Sequence, residues 1–278
     1  MRANNKLIVV CLVALMLLVS LTGCVQSEEA SAASQLEESF DLSIYPNGDY
    51  FITPNDLNEM LTDDKLVLLD CNKPDLYAKG HIEGAIGIGL HAFSNKVGKP
   101  GDPGWGTIQP KEQLEETLKN LGIDNESTIV LYSNVFKGPG ADGRAAWQLR
   151  LAGLENVKIL LGGTTYWEEL GYTFTKDLTQ APTPSAGVTL KTYNQDYIAT
   201  KEEIYETLGE KVLLDVRTEK EFNGSQNAGE PRGGHIQGAK HILWTDFLES
   251  NGVLKSPEDI EAILAGFDVS KTDDFTLY

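Results

Sequence analysis

The chain has 278 residues, room for two domains at roughly 100–200 residues each, and carries 23 Lys+Arg against 41 Asp+Glu for a net charge of −18. That acidity argues against nucleic-acid binding, which asks for a basic stripe facing the phosphates. A hydrophobic content of 41% excludes a wholly disordered chain, and three Cys are too few for a disulfide-stapled scaffold.

At the N-terminus, Arg2 and Lys6 precede an apolar run from Leu7 to Ser20 that leads into Leu21-Thr22-Gly23-Cys24. A short positive segment, an apolar stretch and small residues before a Cys form an export signal. The run is short for a spanning helix, which needs about 20 apolar residues. The Leu21–Cys24 pattern resembles the lipobox of bacterial lipoproteins. The resemblance implies cleavage before Cys24 and a lipid on its thiol. Residues 1–23 are therefore expected to be a signal peptide and 24–40 a tether, since Ser27 to Glu38 lacks aromatic and β-branched residues. The expected location is the extracytoplasmic face of the cell membrane, through the lipid anchor. Cys71 is then the only free thiol of the mature chain.

The rest of the chain contains a repeat. Thr53-Pro54-Asn55-Asp56 and Thr200-Lys201-Glu202-Glu203 both read as capping boxes opening a short amphipathic helix. Each helix is followed by an apolar strand ending in Asp, Leu66 to Asp70 and Val212 to Asp215, of the kind that suits parallel sheets covered on both faces. Next come Gly80-His81-Ile82-Glu83-Gly84-Ala85 and Gly234-His235-Ile236-Gln237-Gly238-Ala239. The second copy carries an extra Gly-rich stretch before its His, from Asn223 to Gly233. A second helix follows in each copy, Pro110 to Leu121 and from Ser256-Pro257 onward, then a strand, Thr128 to Tyr132 and Phe275 to Tyr278. Between the first copy's two strands, the stretch from Asn95 to Gly106 around Trp105 reads as a surface excursion.

The first copy continues with a helix over Gly143 to Leu151, a strand over Val157 to Leu161, then Gly162-Gly163 and Trp167. The second copy has no counterpart of these; it reaches Tyr278, which aligns with Tyr132. Alternating strands and helices imply two α/β domains with parallel sheets flanked by helices. Their expected spans are 41–178 and 191–278, joined by a Pro/Gly-rich linker over 179–190, with the second domain incomplete at its C-terminus.

These residues resemble the tandem-domain rhodaneses, a family of sulfurtransferases. The resemblance rests on the paired strand-Asp and Gly-His-Ile-x-Gly-Ala motifs, on Asp215-Val216-Arg217 with Glu221-Phe222, and on Leu161-Gly162-Gly163 with Trp167. It implies an inactive N-terminal domain and a C-terminal domain whose nucleophilic Cys follows a strand ending in Tyr. Backbone N–H groups at a helix N-terminus would lower the pKa of that thiol and hold its persulfide. Sulfur would pass from a small donor such as thiosulfate to cyanide or a thiol acceptor, without a cofactor.

Against that pattern, Ser133 follows Tyr132, and a hydroxyl cannot form a persulfide. The loop from Ser133 to Arg144 is also longer than the family's active loop. In the second domain the nucleophile falls at position 279, one beyond Tyr278, so the 278-residue chain is expected to be inactive. The alternative is a non-catalytic rhodanese-like surface binding module. Cys71, aligned with Val216, reads as an inert buried thiol. Arg217 and Glu221 read either as a structural ion pair at the strand end or as groups tuning the active loop and contacting the donor. Arg232, in the extra loop, is a further candidate for an anionic donor. His81 and His235 hold matching positions and read as structural, and no metal-ligand spacing is present.

Overall fold

A computed structural model describes residues 40–102, 104–227 and 230–278. The export signal, the tether up to residue 39 and Cys24 lie outside these residues. Among the described residues no helix is long and apolar enough to cross a membrane. Residues Tyr45–Tyr278 form one compact unit.

The first half runs β1 (Phe51–Ile52), α1 (Pro54–Met60), β2 (Leu66–Asp70), α2 (Pro74–Tyr77), β3 (Ile86–Gly87), α3 (Lys111–Asn120), β4 (Thr128–Tyr132), α4 (Ala141–Leu151), β5 (Val157–Leu160) and α5 (Gly163–Glu169). The second half runs α6 (Lys201–Glu206), β6 (Val212–Asp215), α7 (Glu219–Phe222), β7 (Lys240–His241), α8 (Pro257–Gly266) and β8 (Phe275–Leu277). The α/β class with parallel sheets flanked by helices, expected from the sequence, is the class that forms. One sheet has the order β1-β5-β4-β2-β3 and the other β7-β6-β8, all neighbours parallel.

Both faces of the first sheet are covered, which is why β2 and β4 are apolar without a break. Side chains alternate across a strand, so Leu69, Ile129 and Leu131 face Leu114 and Leu118 of α3 and Ala145 and Leu149 of α4. Leu68, Val130 and Tyr132 face the other way, onto Leu57 of α1, Ile82 and Trp167 of α5.

The second sheet matches β3-β2-β4 strand for strand. Its core is small: Leu214, Ile242 and Val269, with Ile263 and Leu264 of α8 packed against them. No counterpart of α4 or β5 is present among the described residues, and the contrast is quantitative. Ile129 and Leu131 are 1% and 0% exposed, whereas Phe275 and Leu277 in the same places on β8 are 44% and 58% exposed. Ile198, which precedes Thr200 as Ile52 closely precedes Pro54, is extended but lies outside both sheets, because the strand that β1 pairs with has no equivalent there.

Of the two capping boxes expected from the sequence, one forms in full. Thr200 and Glu203 close a reciprocal capping box. At α1 only half of one forms: Thr53 accepts the Asp56 N–H, while the Asp56 carboxylate takes the Thr53 hydroxyl at 2.8 Å. Asp is one methylene shorter than Glu, and its oxygens stop at the hydroxyl instead of reaching the backbone N–H. In domain two the turn before Val253 packs on domain one. A Cβ on Gly252 would stand 3.1 Å from the Gly162 carbonyl oxygen and 3.2 Å from Val135, so two glycine backbones meet there without side chains.

Leu131→Ala is expected to lower stability by about 2–5 kcal/mol, since it leaves a cavity between β4 and two helices. Leu277→Ala, at the matching but exposed site, is expected to cost under about 0.5 kcal/mol. Urea titrations of the two variants check this; equal losses would contradict the uncovered face of β8.

Candidate active site

The ends of β2 and β4 lie side by side, with Asp70 opposite Tyr132 in the register. Asp70 and Tyr132 are both fully buried. The Tyr132 hydroxyl accepts the N–H of Ile82 at 3.0 Å, tying the strand end to the Gly-His-Ile turn. The Cys71 N–H donates to the Tyr132 carbonyl at 2.9 Å. Domain two repeats each contact: Tyr278 accepts from Ile236 at 2.9 Å, and the Val216 N–H donates to the Tyr278 carbonyl at 3.0 Å.

The two histidines of the repeat are likewise equivalent. His81 stacks on Tyr77 with centroids 3.8 Å apart, and His235 on Phe222 at 3.7 Å. Nδ1 of each donates to the backbone carbonyl of its stacking partner, at 3.0 and 2.9 Å. Their rings hold the turn to the preceding helix. Among the described residues no group of three or more His, Cys, Asp or Glu is placed to hold a metal ion.

The two copies differ in how the strand-end Asp is compensated. Asp215 is fully buried and is gripped by Arg217, whose Nε donates to Oδ1 at 3.0 Å and Nη2 to Oδ2 at 2.5 Å. Burial is the largest influence on Asp215 and raises its pKa, but the Arg217 hydrogen bonds and charge together hold it below the usual carboxylate value. The same Nη2 donates to the Gly234 carbonyl at 2.9 Å, and the guanidinium carbon lies 5.2 Å from the Tyr278 ring centroid. Arg217 thus joins the strand end, the Gly-His-Ile turn and the last Tyr. In domain one Asn72 stands where Arg217 stands, so burial pushes Asp70 up despite the Asn72 N–H that it accepts.

The structure does not pair Arg217 with Glu221. Glu221 accepts from the Thr218 N–H at 3.1 Å and its hydroxyl at 2.6 Å, closing the capping box of α7. Arg217 and Asp215 are two apart in an extended segment and point to one side, which decides the partner. Arg232 is exposed on the extra loop.

At Ser133 the first domain is closed. Ser133 is 2% exposed and its hydroxyl donates to Asp142 Oδ1 at 2.9 Å. Asn134 N–H donates to the Asn72 side chain at 2.8 Å, and Asn134 Nδ2 to Thr164 Oγ1 at 3.0 Å. The Ser133 carbonyl accepts from Thr164, and a Cβ on Gly163 would stand 2.2 Å from that oxygen. These contacts keep the Ser133 hydroxyl buried and occupied. Cys71 is 2% exposed; burial first, then the nearby Asp142 and Asp70 charges, push its thiol well above the ordinary value. It has neither access nor thiolate character. The excursion from Asn95 to Gly106 folds back on itself: Asn95 N–H donates to Thr107 at 2.7 Å, and Arg144 donates to the Gly106 carbonyl.

Asp142 and the Asn72–Asn134–Thr164 latch were not visible from the sequence motifs. Asn72 could have been found by aligning it with Arg217, and Asp142 by its place in the first turn of α4, where an acid suits the helix dipole.

Replacing Arg217 with Met is expected to move the Asp215 pKa from below the unfolded value to above it. The depressed pKa supplies stability at neutral pH that is lost as pH falls through it; a raised pKa costs stability at neutral pH and returns it on acidification. Arg217→Met should therefore cost about 3 kcal/mol at pH 7 and less at pH 4. Urea midpoints at the two pH values check the sign, and an equal loss at both would contradict the clamp.

A model of the rhodanese-like domain matches residues 53–170. A thiosulfate sulfurtransferase of Azotobacter vinelandii is 30% identical over 211 residues, covering 75% of this chain and 74% of its own. The sulfur carrier protein TtuD of Thermus thermophilus is 27% identical over 247 residues, covering 84% and 83%. Among solved structures, the 3-mercaptopyruvate sulfotransferase SseA of Escherichia coli superposes with a TM-score of 0.67 at 24% identity, over 82% of this chain and 87% of that one. The anaerobic ergothioneine biosynthesis enzyme of Chlorobium limicola gives 0.69 at 20% identity, over 84% of this chain and 61% of that one. These two superpositions speak for the fold, and the Azotobacter relative, matched along most of both chains, for the lineage. By the Azotobacter match and the domain model together, the chain belongs to the rhodanese family of sulfurtransferases.

Proposed function

We propose that this protein is a membrane-anchored sulfurtransferase whose second domain carries the chemistry, moving sulfane sulfur from a donor such as thiosulfate to cyanide or a thiol. A Cys thiolate attacks the outer sulfur of thiosulfate. The S–S bond breaks, sulfite leaves with the electron pair, and Cys–S–S⁻ remains. The acceptor then attacks the terminal sulfur and the thiolate is restored.

One observation carries this reading: in domain two the buried strand-end carboxylate is neutralised by Arg217, and Tyr278 is anchored to Ile236 as Tyr132 is to Ile82. The residue after Tyr278 in that register takes the place of Ser133, and a Cys there is the nucleophile of the proposal. Asp142 and Asp70, buried with no cation paired to either among the described residues, raise the Cys71 thiol in domain one and make the opposite environment. Arg217 acts by positioning, since its donors hold Asp215 and Gly234. Arg232 supplies an exposed cation for the donor, and Glu221 stays in its helix cap. The names of the relatives from Azotobacter vinelandii and Pseudomonas aeruginosa support thiosulfate as donor. Membrane attachment rests on Leu21 to Cys24.

Cys71 is buried and Ser133 bears a hydroxyl, so the 278-residue chain is expected to form no thiocyanate from thiosulfate and cyanide above the uncatalysed rate. The reading frame continued past codon 278 is expected to encode a Cys next, and its full product to be active, with Cys71→Ala unchanged. A stop or a different residue at that codon, with an inactive product, favours the non-catalytic binding module. Activity of the 278-residue chain that Cys71→Ala abolished would overturn the assignment of the site.

Palmitate fed to expressing cells should label the wild-type protein and leave Cys24→Ala unlabelled. Label retained by the variant would remove the lipid anchor from the proposal.

A further inference from the structure

The C-terminal end of α4 lies about 15 Å along the helix from the closed Ser133 loop. There the segment leading into domain two crosses the helix and leaves a cavity of about 450 Å³. Its walls include Tyr50, Trp147, Leu151, Ile159 and Tyr197, with Arg150 among them. Trp147 and Tyr197 are 42% and 62% exposed, so both offer open aromatic surface.

Arg150 is the distinctive group. Its guanidinium carbon lies 3.5 Å from the centroid of the Tyr50 ring, and Nη2 donates to the Val157 carbonyl at 2.5 Å. Stacking and that bond fix the plane, while a guanidinium has five N–H donors in all. Among the described residues no carboxylate stands within ion-pair distance of it. Lys191, the other cation lining the cavity, is held by Glu155 at 2.6 Å. The lining therefore carries one uncompensated positive charge, in a chain of net charge −18 where carboxylates are abundant.

The charge argues against a cationic ligand. A bare inorganic anion would leave the aromatic walls without a partner. A cavity of this size falls in the range that accepts small organic ligands, in which apolar walls take the body and a few polar groups set the orientation. We infer that this cavity is a binding site for a small organic anion with a planar apolar body, whose carboxylate or sulfonate pairs with Arg150 and whose ring lies against Trp147 and Tyr197. Nothing in this inference draws on the sulfur-transfer reading, and the two can fail separately.

The probe is 2-naphthoate, with 2-naphthalenemethanol as its uncharged counterpart, titrated calorimetrically into the purified chain. The acid is expected to bind at least tenfold more tightly than the alcohol. Arg150→Met is expected to weaken the acid by tenfold or more and leave the alcohol unchanged. Should Arg150→Met unfold the chain, Tyr197→Ala, on an exposed segment, provides the second reading and is expected to weaken both probes several-fold. Equal affinity for acid and alcohol, an acid affinity that Arg150→Met leaves unaltered, or no saturable binding of the acid overturns the site.

Discussion

In both halves of the molecule two central parallel strands end side by side, and there a buried carboxylate meets a tyrosine. Burying a carboxylate costs several kcal/mol unless its surroundings compensate it. The surrounding structure is arranged around that cost. The Tyr hydroxyl accepts an N–H of the Gly-His-Ile turn, the His of that turn stacks on the preceding helix, and the next residues enter the outer strand. Parallel sheets present their C-terminal strand ends as ligand sites, so this costly cluster lies where the chemistry of such folds is done.

Compensation of the carboxylate separates the halves. Arg217 turns the end of β6 into a neutral, rigid corner next to the last Tyr. In domain one Asn72 supplies an amide instead, and a second buried acid, Asp142, stands nearby. Two strand ends of the same geometry therefore differ in local potential: Asp215 is paired with a cation and held below the usual carboxylate value, while Asp70 has no such partner among the described residues and is pushed above it.

The strands were legible because β2, β4 and β6 are apolar runs ending in a turn signal, the pattern of a central parallel strand between two neighbours. The two His were legible through their repetition. The sequence offered Glu221 as a partner for Arg217 at the strand end; Asp215, two residues back and on the same side, is the carboxylate it grips. The start of α4 at Ala141 was hidden because Gly140 takes a left-handed φ of 71° that composition alone does not announce. The exposed face of β8 reflects that no counterpart of α4 is present among the described residues. The cavity beside Arg150 depends on how the connecting segment crosses α4, which is tertiary and leaves no periodic trace.

Ser133 has a consequence for how such a domain could change over time. A single base substitution converts some serine codons to cysteine, so the nucleophile itself is within easy reach. The thiol would inherit the bond to Asp142, an acid neighbour that disfavours the thiolate, and the latch through Asn72, Asn134 and Thr164 would still exclude any donor. Sulfur chemistry at this strand end would need the acid, the latch and the serine to change together.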